Sequence, residues 1–128
     1  MNWGAQGDGY ITFKTGNDMA NEPTTGYFSA SYEEARSRFV QSCANRGGRH
    51  FKLPLSVTGP EDVALSIDIA WFGAEVPKRV LLHSSGLHGV EGFAGSAIQL
   101  ERMHEDPLRL AADDAIIFVH VLNPYGMA

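Results

Sequence analysis

The sequence predicts an α/β fold in which helices flank a partial, mixed and largely parallel sheet. Three features predict it: apolar residues at every second position over 63–71, unbroken apolar runs at 80–82 and 116–119, and a helical period between those runs. A period of two is typical of a half-buried strand, and apolar residues three and four apart are typical of an amphipathic helix. The strand, helix and strand within 80–121 therefore predict a right-handed βαβ unit with two parallel strands.

The strand patterns predict different surroundings for the strands. Alternation over 63–71 is expected where a strand in an antiparallel pair has one buried face. Unbroken apolar runs such as 80–82 and 116–119 suit inner strands that are covered on both faces. We therefore expect the last two strands to lie inside the protein.

Two helices are predicted from their end signals and apolar periods. The first follows Ser31, which forms a capping box with Glu34, and it ends in the Asn-Arg-Gly-Gly stretch at 45–48. The second covers 93–104 and stops before an Asp-Pro pair, after which 108–112 is expected to add a short helical turn. Helices that flank the sheet complete the α/β pattern.

Length and composition fit one domain with an extension at its start. The chain has 128 residues, of which 44% are apolar, which is enough for one core and too short for two. Residues 1–26 are rich in Gly, Asn, Asp and Thr and predict a loose polar leader, with one short strand at 10–13. We expect the ordered domain to cover 27–128.

Charge and cysteine content exclude several classes of partner. The net charge is −5 with no basic cluster, so nucleic acid is not an expected partner. The apolar runs are too short to span a membrane, and the first residues lack the pattern of a secretory signal. Cys43 is the only cysteine, which excludes an internal disulfide and favours the cytoplasm; we interpret it as a small buried helix residue.

A glycine-rich segment at 83–99 contains the main candidate site. His88 and Glu91 lie three residues apart in a turn between an apolar strand and a helix. Imidazole nitrogen and carboxylate oxygen are both zinc ligands, and a catalytic zinc site needs a third protein ligand and water. A His-x-x-Glu pair often occurs by chance in a sequence. Because this pair follows a buried strand, where ligand sites of α/β sheets lie, a metal site and a chance occurrence both stay open.

Two other interpretations of the same segment, a phosphate-binding loop and a serine nucleophile, match its sequence less well. The glycines recur as Gly-x-x-Gly-x-x-Gly, which matches neither the dinucleotide fingerprint nor the Walker phosphate loop. Ser96 does not lie in a Gly-x-Ser-x-Gly elbow. Ser84 and Ser85 have histidines beside them, but sequence neighbours rarely form a working nucleophile and base.

Three segments resemble a known family. They are 83–99, 27–36 and 121–128, and together they resemble the DUF2817 family of bacterial carboxypeptidase-like proteins. The resemblance covers 27–128 and leaves residues 1–26 outside. Within it, His88-Gly-Val-Glu91 looks like the first zinc motif of zinc carboxypeptidases (metallopeptidases) and of the related succinylglutamate desuccinylase and aspartoacylase enzymes.

A second motif of the family follows the next apolar run. Residues 123–126, Asn-Pro-Tyr-Gly, resemble an Asn-Pro-x-Gly turn, with Tyr125 where many carboxypeptidases have Asp. The resemblance implies one zinc ion held by His88, Glu91 and a histidine much later in the chain. It also implies a late glutamate that activates water and arginines that bind a substrate carboxylate.

The resemblance implies that this chain corresponds to the amino-terminal third of such an enzyme. The histidines after Glu91 are His104, expected to close a helix, and His120, expected to pack in a strand, whereas Glu101 and Glu105 are expected to be solvated. We therefore expect no catalytic residue within this chain, weak or absent zinc binding, and no activity alone.

Three functions stay open at this point. The first is part of a zinc-dependent hydrolase of small peptides, and the second is a zinc-dependent deacylase or amidase of N-acyl amino acids. The third is a non-catalytic interaction module. Because later strands of the fold are expected to be missing, we also expect self-association through an open sheet edge.

Overall fold

The computed structural model describes residues 3–5, 9–11, 24–104 and 108–128. Strands β1 (Trp3–Ala5) and β2 (Gly9–Ile11) pair antiparallel. Strand β2 contains the first two residues of the strand expected at 10–13, and the other two lie outside the described residues. Most of the expected leader over 1–26 lies outside them too, and its loose character stays a prediction.

The main sheet has four strands and is mixed, as predicted. It comprises β3 (Arg49–Thr58), β4 (Ala64–Gly73), β5 (Arg79–Ser84) and β6 (Asp114–His120), in the spatial order β3-β4-β6-β5. Strand β4 is antiparallel to β3 and β6, while β5 and β6 are parallel. The parallel pair of the βαβ unit is confirmed, but the sheet is less parallel than expected, since only one of these three pairings is parallel.

Within the described residues, three α-helices and two 3-10 turns accompany the sheet. The helices are α1 (Tyr32–Asn45), α2 (Gly92–His104) and α3 (Pro124–Met127), and the turns are Thr24–Tyr27 and Pro60–Asp62. None of the described helices combines the length and the apolar character needed to cross a membrane.

The ends of the two long helices agree with the sequence signals. The Ser31 hydroxyl accepts a hydrogen bond from the Glu34 backbone N–H at 3.2 Å, and the Glu34 carboxylate accepts one from Ala30 at 2.7 Å. The helical turn expected at 108–112 is wrong, because residues 108–111 are irregular and 112–113 form a turn. Leu108 and Leu110 pack against the core from this irregular segment.

The core lies between one face of the sheet and helices α1 and α2. Its largest buried side chains include Phe39, Leu100, Met103 and Phe118. Cys43 is fully buried in the same cluster, as predicted, and burial raises the pKa of its thiol.

The helices cover the face of β4 that carries its smaller and more polar residues. Ser66, Asp68 and Ala70 are at most 1% exposed, whereas Ile67 and Ile69 on the other face are only partly buried. The apolar side of this alternating strand is therefore not the one that the helices cover. Polar residues can be buried there because they are hydrogen-bonded to one another and to α1.

Strand β5 lies at the edge of the sheet and not in its interior. Val80, Leu81 and Leu82 are 49%, 62% and 60% exposed, so the expectation of an inner strand covered on both faces is wrong. The run at 116–119 does lie in an inner strand, β6, but only one of its faces is covered by helices. Because neighbouring residues of a strand point to opposite faces, the exposure of Val80, Leu81 and Leu82 shows that both faces of β5 are open there. In β6, Ile116 and Phe118 are buried, whereas Ile117 and Val119 on the other face are only partly buried.

Strand β3 was not predicted, although the sequence carries a signal for it. Phe51, Leu53, Leu55 and Val57 alternate with other residues in the pattern of a strand. This strand forms the opposite edge of the sheet from β5.

Candidate metal site

The candidate site lies beyond the carboxyl ends of the parallel strands β5 and β6. Backbone hydrogen bonds join the loops that follow these strands, from Leu122 N–H to Ser85 O at 2.9 Å and from Asn123 N–H to Gly86 O at 2.8 Å. Ligand sites in α/β sheets are typically found at this end of the strands. The sheet therefore brings the His-Gly-Val-Glu segment and the Asn-Pro-Tyr-Gly segment together.

A tight turn directs the chain from β5 toward His88. Gly86 has φ +60°, a conformation that L side chains rarely adopt, and a Cβ atom there would lie 2.8 Å from the Val121 side chain. The glycine allows the turn and the close approach of the two loops together.

His88 and Glu91 form a compact pair at the start of α2. The His88 Nδ1 atom lies 3.5 Å from Glu91 Oε1, and the two side chains are 83% and 48% exposed. Glu91 immediately precedes α2, whose amino-terminal end favours a negative charge. The structure therefore places both residues of the predicted pair side by side and accessible to solvent.

The Glu91 carboxylate also accepts two backbone hydrogen bonds. These come from the N–H of His88 to Oε1 at 2.5 Å and from the N–H of Gly89 to Oε2 at 2.8 Å. They hold the pKa of the Glu91 carboxyl below its ordinary value, the His88 bond being the largest cause. Glu91 is therefore ionised at neutral pH, as a metal ligand must be.

An open cleft of about 290 Å³ adjoins the pair. It is lined by Ser84, Ser85, Gly86, Leu87, His88, Glu91, Gly95 and Leu122. The cleft therefore lies directly beside the exposed His88–Glu91 pair.

The donor atoms of the pair fit zinc, but they form only half of a site. One imidazole nitrogen and one carboxylate oxygen match two zinc ligands of a catalytic site. Among residues 24–104 and 108–128 no group of three or more His, Cys, Asp and Glu side chains could hold a metal ion. The pair therefore fits the first two ligands of the predicted site and supplies no third.

The later histidines lie elsewhere. His104 is the last residue of α2, with its Nε2 atom 3.4 Å from the Ser42 hydroxyl. His120 is fully buried at the end of β6, with its Nε2 atom 3.0 Å from the Ser96 hydroxyl. Both agree with the roles that the sequence predicted. Glu101 lies on α2 and is partly buried, and Glu105 lies outside the described residues.

The serines do not form an accessible nucleophile and base. Ser96 contacts His120, but both side chains are at most 1% exposed, and the His120 ring stacks on Phe39 with 4.7 Å between ring centroids. Ser85 is hydrogen-bonded to Gln99, at 3.3 Å. Buried polar pairs of this kind support packing.

Sequence reasoning missed the role of Asn123 in the site. Its side-chain Nδ2 donates a hydrogen bond to the His88 carbonyl oxygen at 2.9 Å, and its Oδ1 accepts one from the Gly126 N–H at 3.0 Å. The resemblance marked the Asn-Pro-Tyr-Gly turn as a motif, but it gave no contact between that turn and His88.

A second polar cluster lies under α1, on the covered face of the sheet. Asp68 is fully buried and hydrogen-bonded to Ser66, Arg36 and His50, each with one contact at 2.7 Å. Burial alone would raise the pKa of the Asp68 carboxyl, but these three partners outweigh burial and lower it. This cluster connects α1 to strands β3 and β4.

The fold and the candidate site together define an α/β protein with an exposed His88–Glu91 pair beyond the carboxyl ends of parallel strands. The profile of the family described as "Protein of unknown function (DUF2817)" matches residues 28–128. The chain therefore belongs to the DUF2817 family. No curated protein sequence matches it.

Three solved structures are similar to part of this chain at low sequence identity, and the first of them supports the fold. Glutaminyl cyclase from Fimbriiglobus ruber is 10% identical, with a TM-score of 0.51 over 75% of this chain and 40% of that chain. Glutaminyl cyclase from Porphyromonas gingivalis is 15% identical, with a TM-score of 0.44 over 74% and 45%. A Zn-dependent exopeptidase from Parabacteroides distasonis is 16% identical, with a TM-score of 0.42 over 70% and 38%. The chain spans less than half the length of each of these proteins.

Proposed function

We propose that this chain is the amino-terminal part of a zinc-dependent, carboxypeptidase-like hydrolase of peptide or amide bonds. His88 and Glu91 are its first two metal ligands. The observation that carries the proposal is their adjacency, with 3.5 Å between Nδ1 and Oε1, beside an open cleft at the end of parallel strands. The resemblance of His88-Gly-Val-Glu91 to the first zinc motif of zinc carboxypeptidases supports it.

In this proposal, the residues of this chain bind the metal ion and fix its position. The exposed His88 ring offers a nitrogen, and Glu91 offers an ionised carboxylate whose place is fixed by two backbone N–H groups. Zinc, when bound, supplies Lewis-acid polarisation of the scissile carbonyl and acidifies a water molecule. The substrate is a small peptide or an acyl amino acid that enters the cleft from solvent.

We propose that the third ligand, the general base and the carboxylate-binding arginines lie outside this sequence. With only two ligands the chain holds zinc weakly, because tight binding needs more ligands. The chain alone is then inactive as a hydrolase.

Zinc titration of the chain tests the ligand assignment. We expect weak binding, above the micromolar range, that disappears in His88→Ala and in Glu91→Ala. His104→Ala is the matched control, because it removes a histidine away from the cleft and should leave binding unchanged. Submicromolar affinity that disappears only in His120→Ala would show that the ligand set is wrong.

Substrate class is tested in a longer protein that contains this chain. Peptides with a free carboxyl end and N-acyl amino acids are offered separately, and hydrolysis that is lost in His88→Ala identifies the class. Preference for N-acyl amino acids favours the deacylase alternative. Activity that is unchanged in His88→Ala contradicts a metal role for this pair.

One observation favours a second candidate, a non-catalytic interaction module. The uncovered face of the sheet and the exposed residues of β5 present a large apolar surface, and such surfaces mark interaction sites. In this alternative the half-site is a remnant, and the chain binds a second copy of itself.

We also propose a cytoplasmic location. Cys43 is a free and buried thiol, which suits a reducing compartment. Fractionation of cells that express the protein tests this location directly.

A further inference from the structure

We infer that Asn123 is a positioning residue that fixes His88 for metal binding from the neighbouring loop. The effect on zinc rests on the proposed function, but the positioning itself rests on contacts in the structure. Asn123 lies 35 residues after His88 in sequence and follows a different strand of the sheet.

Both polar atoms of the Asn123 side chain form hydrogen bonds. Nδ2 donates to the His88 carbonyl oxygen at 2.9 Å, and Oδ1 accepts from the Gly126 N–H at 3.0 Å. Only one orientation of the amide satisfies a carbonyl on one side and an N–H on the other. The side chain therefore links the turn at 123–126 to the loop that carries His88.

The backbone of His88 is held at both of its polar groups. Its N–H donates to Glu91, and its carbonyl oxygen accepts from Asn123. The His88 side chain is 83% exposed, and its Nδ1 atom lies 3.5 Å from Glu91 Oε1. Asn123 and Glu91 together therefore fix the place of the residue, while its ring nitrogens stay available.

The two loops approach too closely for an intervening side chain. A Cβ atom added at Gly126 would collide with the His88 carbonyl oxygen, and one at Gly89 would lie 3.0 Å from the Gly126 oxygen. The Asn123 backbone N–H also donates to Gly86, at 2.8 Å. The hydrogen bond from Asn123 to the His88 carbonyl is therefore one of several close contacts between the two loops.

Groups that orient a metal ligand without touching the metal affect its affinity. Removing such a partner typically weakens metal binding by about 10–100-fold. Asn123 acts on His88 through the backbone, so we expect an effect at the lower end of that range, roughly 10-fold.

Asn123→Asp separates positioning from local capping. The carboxylate can still accept the Gly126 N–H and cap α3, but it cannot donate to the His88 carbonyl. Its added negative charge would favour a cation, so a loss of zinc affinity would run against simple electrostatics. Asn45→Asp is the matched control, since it makes the same chemical change at an exposed position at the end of α1.

Two readouts are used on the complete 128-residue chain. Zinc titration gives the dissociation constant of the wild type and both variants. Amide resonances of residues 88–91, recorded without metal, report the position of the loop. We expect Asn123→Asp to weaken zinc roughly 10-fold and to shift these amides, with Asn45→Asp unchanged in both.

The following results would support or contradict positioning of His88 by Asn123. If Asn123→Asp binds zinc like the wild type and its loop amides do not move, positioning by Asn123 is overturned. If the wild type binds no zinc, the proposed metal function fails, and the metal-free amide shifts alone decide positioning. If Asn123→Asp does not fold, Asn123→Ser is used instead, because its hydroxyl can still accept the Gly126 N–H but is too short to reach His88.

Discussion

Asp68 and His120 lie directly opposite each other on β4 and β6, and their hydrogen-bonding states differ sharply. Asp68 is bonded to Ser66, Arg36 and His50, whereas Nδ1 of His120 is buried with no partner among the described residues. Both side chains are fully buried. An unsatisfied buried nitrogen costs free energy, so the fold tolerates one unfavourable group beside a well-satisfied one.

His120 should make the stability of the protein depend on pH. Burial lowers the pKa of His120 from 6.5 to about 4. As pH falls from 6.5, the unfolded chain binds a proton at this residue before the folded chain does, so stability decreases until about pH 4. We expect a loss of about 3 kcal/mol across this window, measured by urea unfolding at several pH values.

The variant His120→Leu isolates this contribution. It keeps an apolar side chain beside Phe39 and removes the titrating group. The difference between the free energies of unfolding of wild type and variant should then vary with pH between 4 and 6.5, in favour of the variant at acid pH. A constant difference over this range contradicts the assignment of the effect to His120.

The buried ion pair of Arg36 and Asp68 should matter more than an exposed pair of similar geometry. Arg36 Nε lies 2.7 Å from the carboxylate of Asp68, which is fully buried. Asp68→Asn should cost about 3 kcal/mol because it removes the opposite charge from a partly buried cation. The pKa of Asp68 is lowered, so its contribution is present above the ordinary value of 3.8 and is lost as pH falls below it.

Asp114→Asn is the matched control for that substitution. Arg79 Nε lies 2.8 Å from Asp114, but the Arg79 side chain is 74% exposed, so solvent screens the pair and the expected loss of stability is much smaller than for Asp68→Asn. Denaturant unfolding at pH 7 compares the two variants. Equal costs would show that burial does not decide the strength of these pairs.

The sequence predicted the helices better than the surroundings of the strands. The start of α1 depends on Ser31 and Glu34, which are three residues apart, so a local pattern was sufficient. The covered face of β4 depends on Asp68 meeting Arg36 and His50, which are 32 and 18 residues away. Such pairing cannot be read from the alternation of one strand, and the apolar side of β4 was therefore expected to be the buried one.

In the candidate site, too, local features were predicted from the sequence and contacts between distant residues were not. His88 and Glu91 were predicted because their spacing and the strand before them are local features. The hydrogen bond from Asn123 to the His88 carbonyl joins loops from two strands, and it follows from the parallel register of β5 and β6. Only the three-dimensional arrangement of the sheet brings that amide to His88.

The uncovered sheet surface should cause the chain to self-associate. Leu82 is 60% exposed on edge strand β5, whose outer backbone groups have no neighbouring strand in the described part of the chain. Open apolar edges of this kind pair with other chains. We expect concentration-dependent association in sedimentation velocity, and Leu82→Lys should shift it toward monomer.

Val76→Lys is the control for that experiment. Val76 is 89% exposed but lies outside the sheet, between β4 and β5, so the same substitution should leave association unchanged. A compact monomer at all concentrations would instead indicate that this chain is a self-sufficient domain.

Gly126 should be intolerant of even a methyl group. A Cβ atom there would collide with the His88 carbonyl oxygen and lie 2.6 Å from Asn123 Nδ2, so Gly126→Ala must push the two loops apart. We expect a loss of stability of about 1–3 kcal/mol, the usual cost of overpacking, together with weaker zinc binding. Gly26→Ala is the matched control, because a Cβ atom at that position meets nothing within 4 Å. Thermal unfolding and zinc titration of both variants check the prediction, and equal behaviour would mean that the loops separate without cost.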